Sequence, residues 1–103
     1  KVDWTLGVDA IFNHIRGLSP FPTAWTEFRN KKNGEVVSLK IFETERIVKD
    51  HGKDVGLSTD NKTYLDVLVE GGVIRIKELQ LSGKKRMKTE EFLRGFHIED
   101  YSL

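Results

Sequence analysis

Residues 73–81 read Val-Ile-Arg-Ile-Lys-Glu-Leu-Gln-Leu, and the parity of their apolar positions decides the fold class. Ile74 and Ile76 alternate with period two, as in a strand with one buried face, but Leu79 and Leu81 fall on the opposite parity. One extra residue returns both pairs to a common inward face, which predicts a β-bulge near Lys77-Glu78 in an antiparallel sheet. Arg75, Lys77 and Gln80 then face outward together.

Upstream, Gly71-Gly72 marks a tight turn and Thr63–Val69 reads as the preceding strand. Further back, Ala24–Phe28 and Glu35–Phe42 flank Asn33-Gly34, a pair that favours positive φ and hence a tight hairpin. Val37, Leu39 and Ile41 share one face of that second strand; Ser38 and Lys40 share the wetter one. His51 to Asp54 reads as a polar loop. Before these strands, Val8, Ile11, Phe12, Ile15 and Leu18 recur at spacings of three and four, predicting a helix over about Val8–Arg16 with Asp9 at its positive end. Gly17 is the expected helix-ending residue, and Pro20 and Pro22 hold Ser19 and Phe21 extended. Downstream, Thr89-Glu90-Glu91 followed by Phe92-Leu93 resembles a helix start, with Gly95 as its end.

These elements predict one domain over residues 1–103: mainly β, with a leading helix and a short terminal helix, folded as a small, partly open, antiparallel OB-like barrel. A length of 103 residues suits a single core. No stretch approaches the ~20 consecutive apolar residues of a membrane span. The absence of cysteine excludes disulfides, thiolate zinc sites and a Cys nucleophile, and it suits a reducing, cytoplasmic setting. Beginning at Lys1 rather than Met, the chain reads as an excised or processed piece.

Little in the sequence points to catalysis. His14, His51 and His97 lack metal-ligand spacing, and neither a GxSxG elbow nor a phosphate-binding glycine loop occurs. His14 reads as an exposed helix residue and His51 as a loop residue. Charge placement is more informative. Residues 75–94 hold Arg75, Lys77, Lys84, Lys85, Arg86, Lys88 and Arg94 against Glu78, Glu90 and Glu91, a net +4. Residues 54–70 hold Lys62 against Asp54, Asp60, Asp66 and Glu70, so the net +1 of the chain conceals two oppositely charged regions. A basic cluster at a strand exit could hold phosphates without reading bases; it could equally be a solvated polar loop.

Two segments favour the first reading: Ile15-Arg16-Gly17-Leu18-Ser19-Pro20-Phe21-Pro22-Thr23-Ala24-Trp25, and Glu78-Leu79-Gln80-Leu81-Ser82-Gly83-Lys84-Lys85-Arg86-Met87. Together with Phe92-Leu93-Arg94-Gly95 they resemble the C-terminal domain of the methionyl-tRNA formyltransferase family, and the resemblance spans nearly the whole chain. The GKKRM element discriminates best; the proline run is shared more loosely.

The resemblance implies an enzyme that moves a formyl group from 10-formyltetrahydrofolate to the amino group of methionine on initiator tRNA. It places the catalytic Asn, His and Asp and the folate site in an N-terminal Rossmann-like catalytic domain, to which no segment here corresponds. No catalytic residue or cofactor is therefore assigned to this chain, which by itself is expected not to transfer a formyl group. The domain is instead expected to hold initiator methionyl-tRNA through a basic surface, with Lys84, Lys85, Arg86 and Lys88 as phosphate contacts and Lys40, Arg75 and Lys77 as outward-facing supports.

The bland alternative gives Gly83 to a turn, Met87 to packing, and Lys85 or Arg86 to pairing with Glu90 or Glu91, leaving a module that braces the catalytic domain or mediates assembly, in a formyltransferase acting on another substrate, without touching RNA. Arg16 is expected to cap carbonyls or stack on an indole. Trp4, Trp25 and Phe21 are read as core or interdomain packing.

Overall fold

The computed structural model describes all 103 residues. The chain runs α1 (Val8–Leu18), β1 (Ala24–Asn30), β2 (Val36–Val48), β3 (Gly56–Thr59), β4 (Leu65–Val69), β5 (Gly72–Leu81), β6 (Arg86–Lys88), α2 (Thr89–Gly95), a 3₁₀ turn (Ile98–Asp100) and β7 (Tyr101–Ser102). The strands form one antiparallel sheet in the order β3-β4-β5-β2-β1-β7, with β6 added to β5. The sheet curls into a nearly closed barrel. At the remaining opening, β3 and β7 flank a cleft of about 280 Å³. The expected mainly-β barrel with a leading and a terminal helix is the observed fold.

Inward residues of every long strand meet in one core that includes Phe28, Leu39, Ile41, Leu65, Val67, Ile74, Ile76 and Leu79. The α1 stripe contributes Val8, Ile11 and Ile15, and the C-terminal turns contribute Phe92, Leu93 and Ile98. Trp4 is core, its indole N–H donating to Thr26 Oγ1 at 2.9 Å. Trp25 and Phe21 are on the surface.

The expected bulge is present. Along β2 and β5, Ile41 pairs Leu79, Glu43 pairs Glu78 and Thr44 pairs Ile76, so Phe42 and Lys77 are the residues passed over. Lys77 is also where β5 changes its second neighbour from β4, which ends opposite Ile76, to β6, which begins opposite Glu78. The irregularity lets one strand serve both ends of the barrel.

Several local expectations are corrected. Helix α1 continues through Gly17 to Leu18; Gly17 has no positive φ, and the helix stops because Ser19, preceding Pro20, is extended. The β1–β2 connection is longer than a two-residue turn: strand pairing ends at Arg29–Val36, and of Asn33 and Gly34 only Gly34 has positive φ. Asn30 organises this loop, its Oδ1 accepting from the amides of Lys32 and Asn33. At the β4–β5 turn the loop residues are Glu70 and Gly71, and Gly72 already pairs in the sheet. Strand β4 begins at Leu65 rather than Thr63, because Asp60 Oδ1 accepts from the amides of Lys62, Thr63 and Tyr64 and holds them in a loop. Those bonds, with one from the Thr63 hydroxyl, hold the Asp60 carboxyl well below the usual range. Strand β2 runs six residues past Phe42, and β3, β6 and β7 are additional strands.

His51 is more than a loop residue. Its Nδ1 accepts from the Lys53 amide at 3.0 Å, which leaves Nε2–H to donate to the carbonyls of Val69 (2.8 Å) and Gly72 (3.0 Å). The ring ties the loop after β2 to the β4–β5 turn.

Candidate nucleic-acid interface

Strands β2, β5 and β6 and the β5–β6 turn carry the candidate cations, and for those on strands cross-strand register sets the neighbours. Trp25 lies opposite Lys40, Lys40 opposite Gln80, and Gln80 opposite Arg86, forming one row across four strands. A second row runs Glu43, Glu78, Lys88, and a third runs Glu45, Arg75, Asp66. Only the third row alternates acid and base; the first holds Lys40 and Arg86 with no carboxylate, and the second sets two glutamates beside Lys88.

Five of the seven candidates are ion-paired. Arg75 is held most firmly, its Nε and Nη2 donating to the two oxygens of Asp66 at 2.8 and 3.0 Å while its guanidinium lies over Tyr64. Asp66 is buried, and its hydrogen bonds raise the Arg75 pKa above the ordinary value. Lys77 pairs with Glu45 at 3.2 Å and Lys85 with Glu91 at 3.1 Å. Arg86 and Lys88 share Glu78; Arg86 also stacks on Phe42, 4.0 Å from the ring centre. Burial pushes the Glu78 carboxyl up, but hydrogen bonds from Arg86 and Lys88 outweigh it and leave its pKa lowered. Of the pairings expected from sequence, Lys85 does reach Glu91, whereas Arg86 chooses Glu78 rather than Glu90 or Glu91.

Lys40 and Lys84 carry no ion pair. Lys84 sits in the β5–β6 turn, where its amide donates to Leu81 O at 2.9 Å and Gly83 takes a φ of +79°. That is a type II turn, whose third position suits glycine. The Gln80 side chain donates to Lys84 O at 2.9 Å, fixing the turn against the sheet. A cleft of about 200 Å³ opens beside it, between Lys40 and Gly83.

Sequence reading missed Asp66, Glu45 and Glu78 as carboxylate partners, and Phe42 as the support for Arg86. It also missed the Arg46 guanidinium, which pairs with Asp9 and lies 4.8 Å from the Phe12 ring. Arg16 neither caps carbonyls nor meets an indole; its Nη2 donates to Asn13 Oδ1, and Lys1 is the cation over Trp25.

The chain is a curled antiparallel barrel fronted by a helix, with a cation-bearing hairpin on its outer face. Residues 1–97 match the family described as formyl transferase, C-terminal domain, and the chain belongs to it. It is similar to proteins named methionyl-tRNA formyltransferase: 46% identical over 101 residues to that of Bacteroides thetaiotaomicron, covering 97% of this chain and 31% of the relative. Identity is 43% over 104 residues with the protein of Parabacteroides distasonis, covering 99% and 32% of the two chains. With that of Flavobacterium psychrophilum it is 35% over 103 residues, covering 100% and 32%. The chain thus spans about a third of the length of these relatives.

Proposed function

We propose that this domain holds initiator methionyl-tRNA for a cytoplasmic enzyme that transfers a formyl group from 10-formyltetrahydrofolate to the methionyl amino group. The catalytic residues and the folate site belong to an N-terminal domain of the same enzyme. The observation that carries the reading is the concentration of cations on the β5–β6 hairpin of a chain similar to methionyl-tRNA formyltransferases.

The ion pairs grade the candidates. Lys40 and Lys84 are free to meet a phosphate. In Lys85–Glu91 both side chains are exposed, and such surface pairs are worth only ~0–1 kcal/mol, so a phosphate can replace the carboxylate; Lys88 is 70% exposed and can turn to a phosphate because its largely buried partner Glu78 keeps Arg86. Arg86, stacked on Phe42 and bonded to Glu78, is more committed, Lys77 has one half-exposed partner in Glu45, and Arg75 acts as a positioning group locked to Asp66. Binding of this kind is sequence-tolerant, because ammonium groups displace counterions from phosphates without reading base edges.

The competing reading, a module that braces the catalytic domain without RNA contact, draws on the same carboxylates. A tRNA titration at several salt concentrations separates the two. With about three to four phosphates neutralised, the log–log salt slope should be roughly −2 to −4. Replacing Lys84, Lys85 and Lys88 together by Gln should bring it to about −1 or flatter, with the melting temperature retained, since these side chains are exposed. An unchanged affinity and slope in the triple variant would give the bracing reading precedence.

A further inference from the structure

The cleft beside the β5–β6 turn differs from the other large depressions in its charge. Lys40, Ser38, Gln80, Ser82 and Gly83 line it, and no carboxylate does. Each of the other four has one: Glu90, Glu99, Asp3 or Glu43. Its donors are also uncommitted. The Lys40 ammonium and the hydroxyls of Ser38 and Ser82 enter no hydrogen bond within the chain, and the Gly83 amide makes no backbone bond. The frame around them is fixed, with Ser82 N donating to Ser38 O at 2.9 Å and Gln80 bonded to the turn. Two acids flank the cleft along the strands, and both are paired: Glu27, opposite Ser38, with Lys1 at 2.8 Å, and Glu78, two residues from Gln80, with Arg86 and Lys88.

Next to this cleft lies an aromatic surface. Trp25 is directly opposite Lys40 and 38% exposed, with the Lys1 ammonium 5.7 Å from its ring centre. Adjacent strands are ~4.8 Å apart, so the indole sits within one nucleotide's reach of the cleft. In a duplex the bases are already stacked and only phosphates are offered; an indole beside a phosphate seat is useful where a base is unpaired.

We infer that the Lys40–Gly83 cleft seats one phosphate of a single-stranded RNA segment and that Trp25 stacks on the adjoining unpaired base. The inference rests on the reading that the domain binds RNA. It goes further by locating a specific contact away from the ion-paired cations and by requiring an unpaired strand.

The test is binding of an unstructured eight-nucleotide RNA to the 103-residue chain, followed by anisotropy and tryptophan fluorescence, beside a duplex of the same sequence. Trp4 is buried, so quenching by RNA reports on Trp25. Trp25→Leu should abolish the quenching and weaken single-strand binding about 10-fold, with duplex binding unchanged. Lys40→Gln should reduce the magnitude of the salt slope by about 0.7, the share of one phosphate on a single strand, and Lys40→Arg should restore it. Lys62→Gln, exposed in the β3–β4 loop and outside the seven candidates, serves as the control and should change affinity less than about twofold. Trp25→Phe keeps an aromatic surface and should retain most of the affinity, which guards against a folding defect in Trp25→Leu.

If RNA binds but Lys40→Gln and Trp25→Leu match the parent, while the Lys84, Lys85, Lys88 triple variant is weakened, the seat is refuted and the tRNA-holding reading stands. If neither RNA binds, both fall. Inorganic phosphate forms the second arm. Should phosphate alone shift the Gly83 amide resonance while RNA leaves it unmoved, the cleft takes free phosphate and the RNA assignment is overturned.

Discussion

Gly72→Ala is the substitution whose cost follows most directly from the backbone. A β-carbon placed at Gly72 lies 2.1 Å from the Ile47 carbonyl oxygen and 3.1 Å from Val48 Cα, both main-chain atoms of β2. Restoring ordinary contact requires β2 and β5 to part by ~1 Å at this point. Parting them disturbs the Lys49 N to Gly71 O bond and the His51 bond to Gly72 O. Overpacking costs ~1–3 kcal/mol, and each of the two lost hydrogen bonds adds ~1 kcal/mol, so about 3–5 kcal/mol is expected. For a domain of this size that lowers the melting temperature by roughly 12 °C or more. Gly17→Ala supplies the control. Gly17 is helical, without positive φ and with nothing within 4 Å of its β-carbon position, so alanine should stabilise the domain by ~0.5–1 kcal/mol. Thermal melts by circular dichroism and urea unfolding of both variants provide the measurement. A Gly72→Ala midpoint within about 3 °C of the parent would refute the argument, because the 2.1 Å approach would then be relieved at almost no cost.

Two further outcomes follow from the ion pairs. Asp66→Asn should lower the urea-derived stability by ~1–3 kcal/mol, less than for a fully buried pair because the Arg75 side chain is 34% exposed and its freed charge is partly hydrated. A Glu78 carboxyl held below its ordinary value of 4.5 contributes stability that is present above that value and lost as pH falls through the lower folded one. The parent's urea midpoint should therefore fall with pH below about 4.5, and Glu78→Gln should make that part of the profile shallower; parallel profiles for the two proteins would contradict the assignment.

What the sequence determined was local and periodic. Val8, Ile11 and Ile15 share one side of a helix because 3.6 residues make a turn, and Ile76 and Leu79 disagree in parity whatever surrounds them, so α1 and the bulge were legible. The resemblance to the family is carried by residues 15–25 and 78–87 without reference to the fold.

Only tertiary structure decided the rest. Strand β6 is three residues long with Met87 as its one apolar residue, too short for a periodicity to be read; it exists because Glu78, Leu79 and Gln80 offer it a backbone edge. The second half of β2 carries Glu43, Glu45 and Arg46, and its pairing with β5 holds it extended despite that composition. The candidate surface depends on the same non-local register. Which carboxylate neutralises which cation, and why Lys40 and Lys84 are left without one, is set by strand alignment between segments up to about forty residues apart. Local sequence carries no record of that alignment, because pairing energy is shared between strands rather than held by either one.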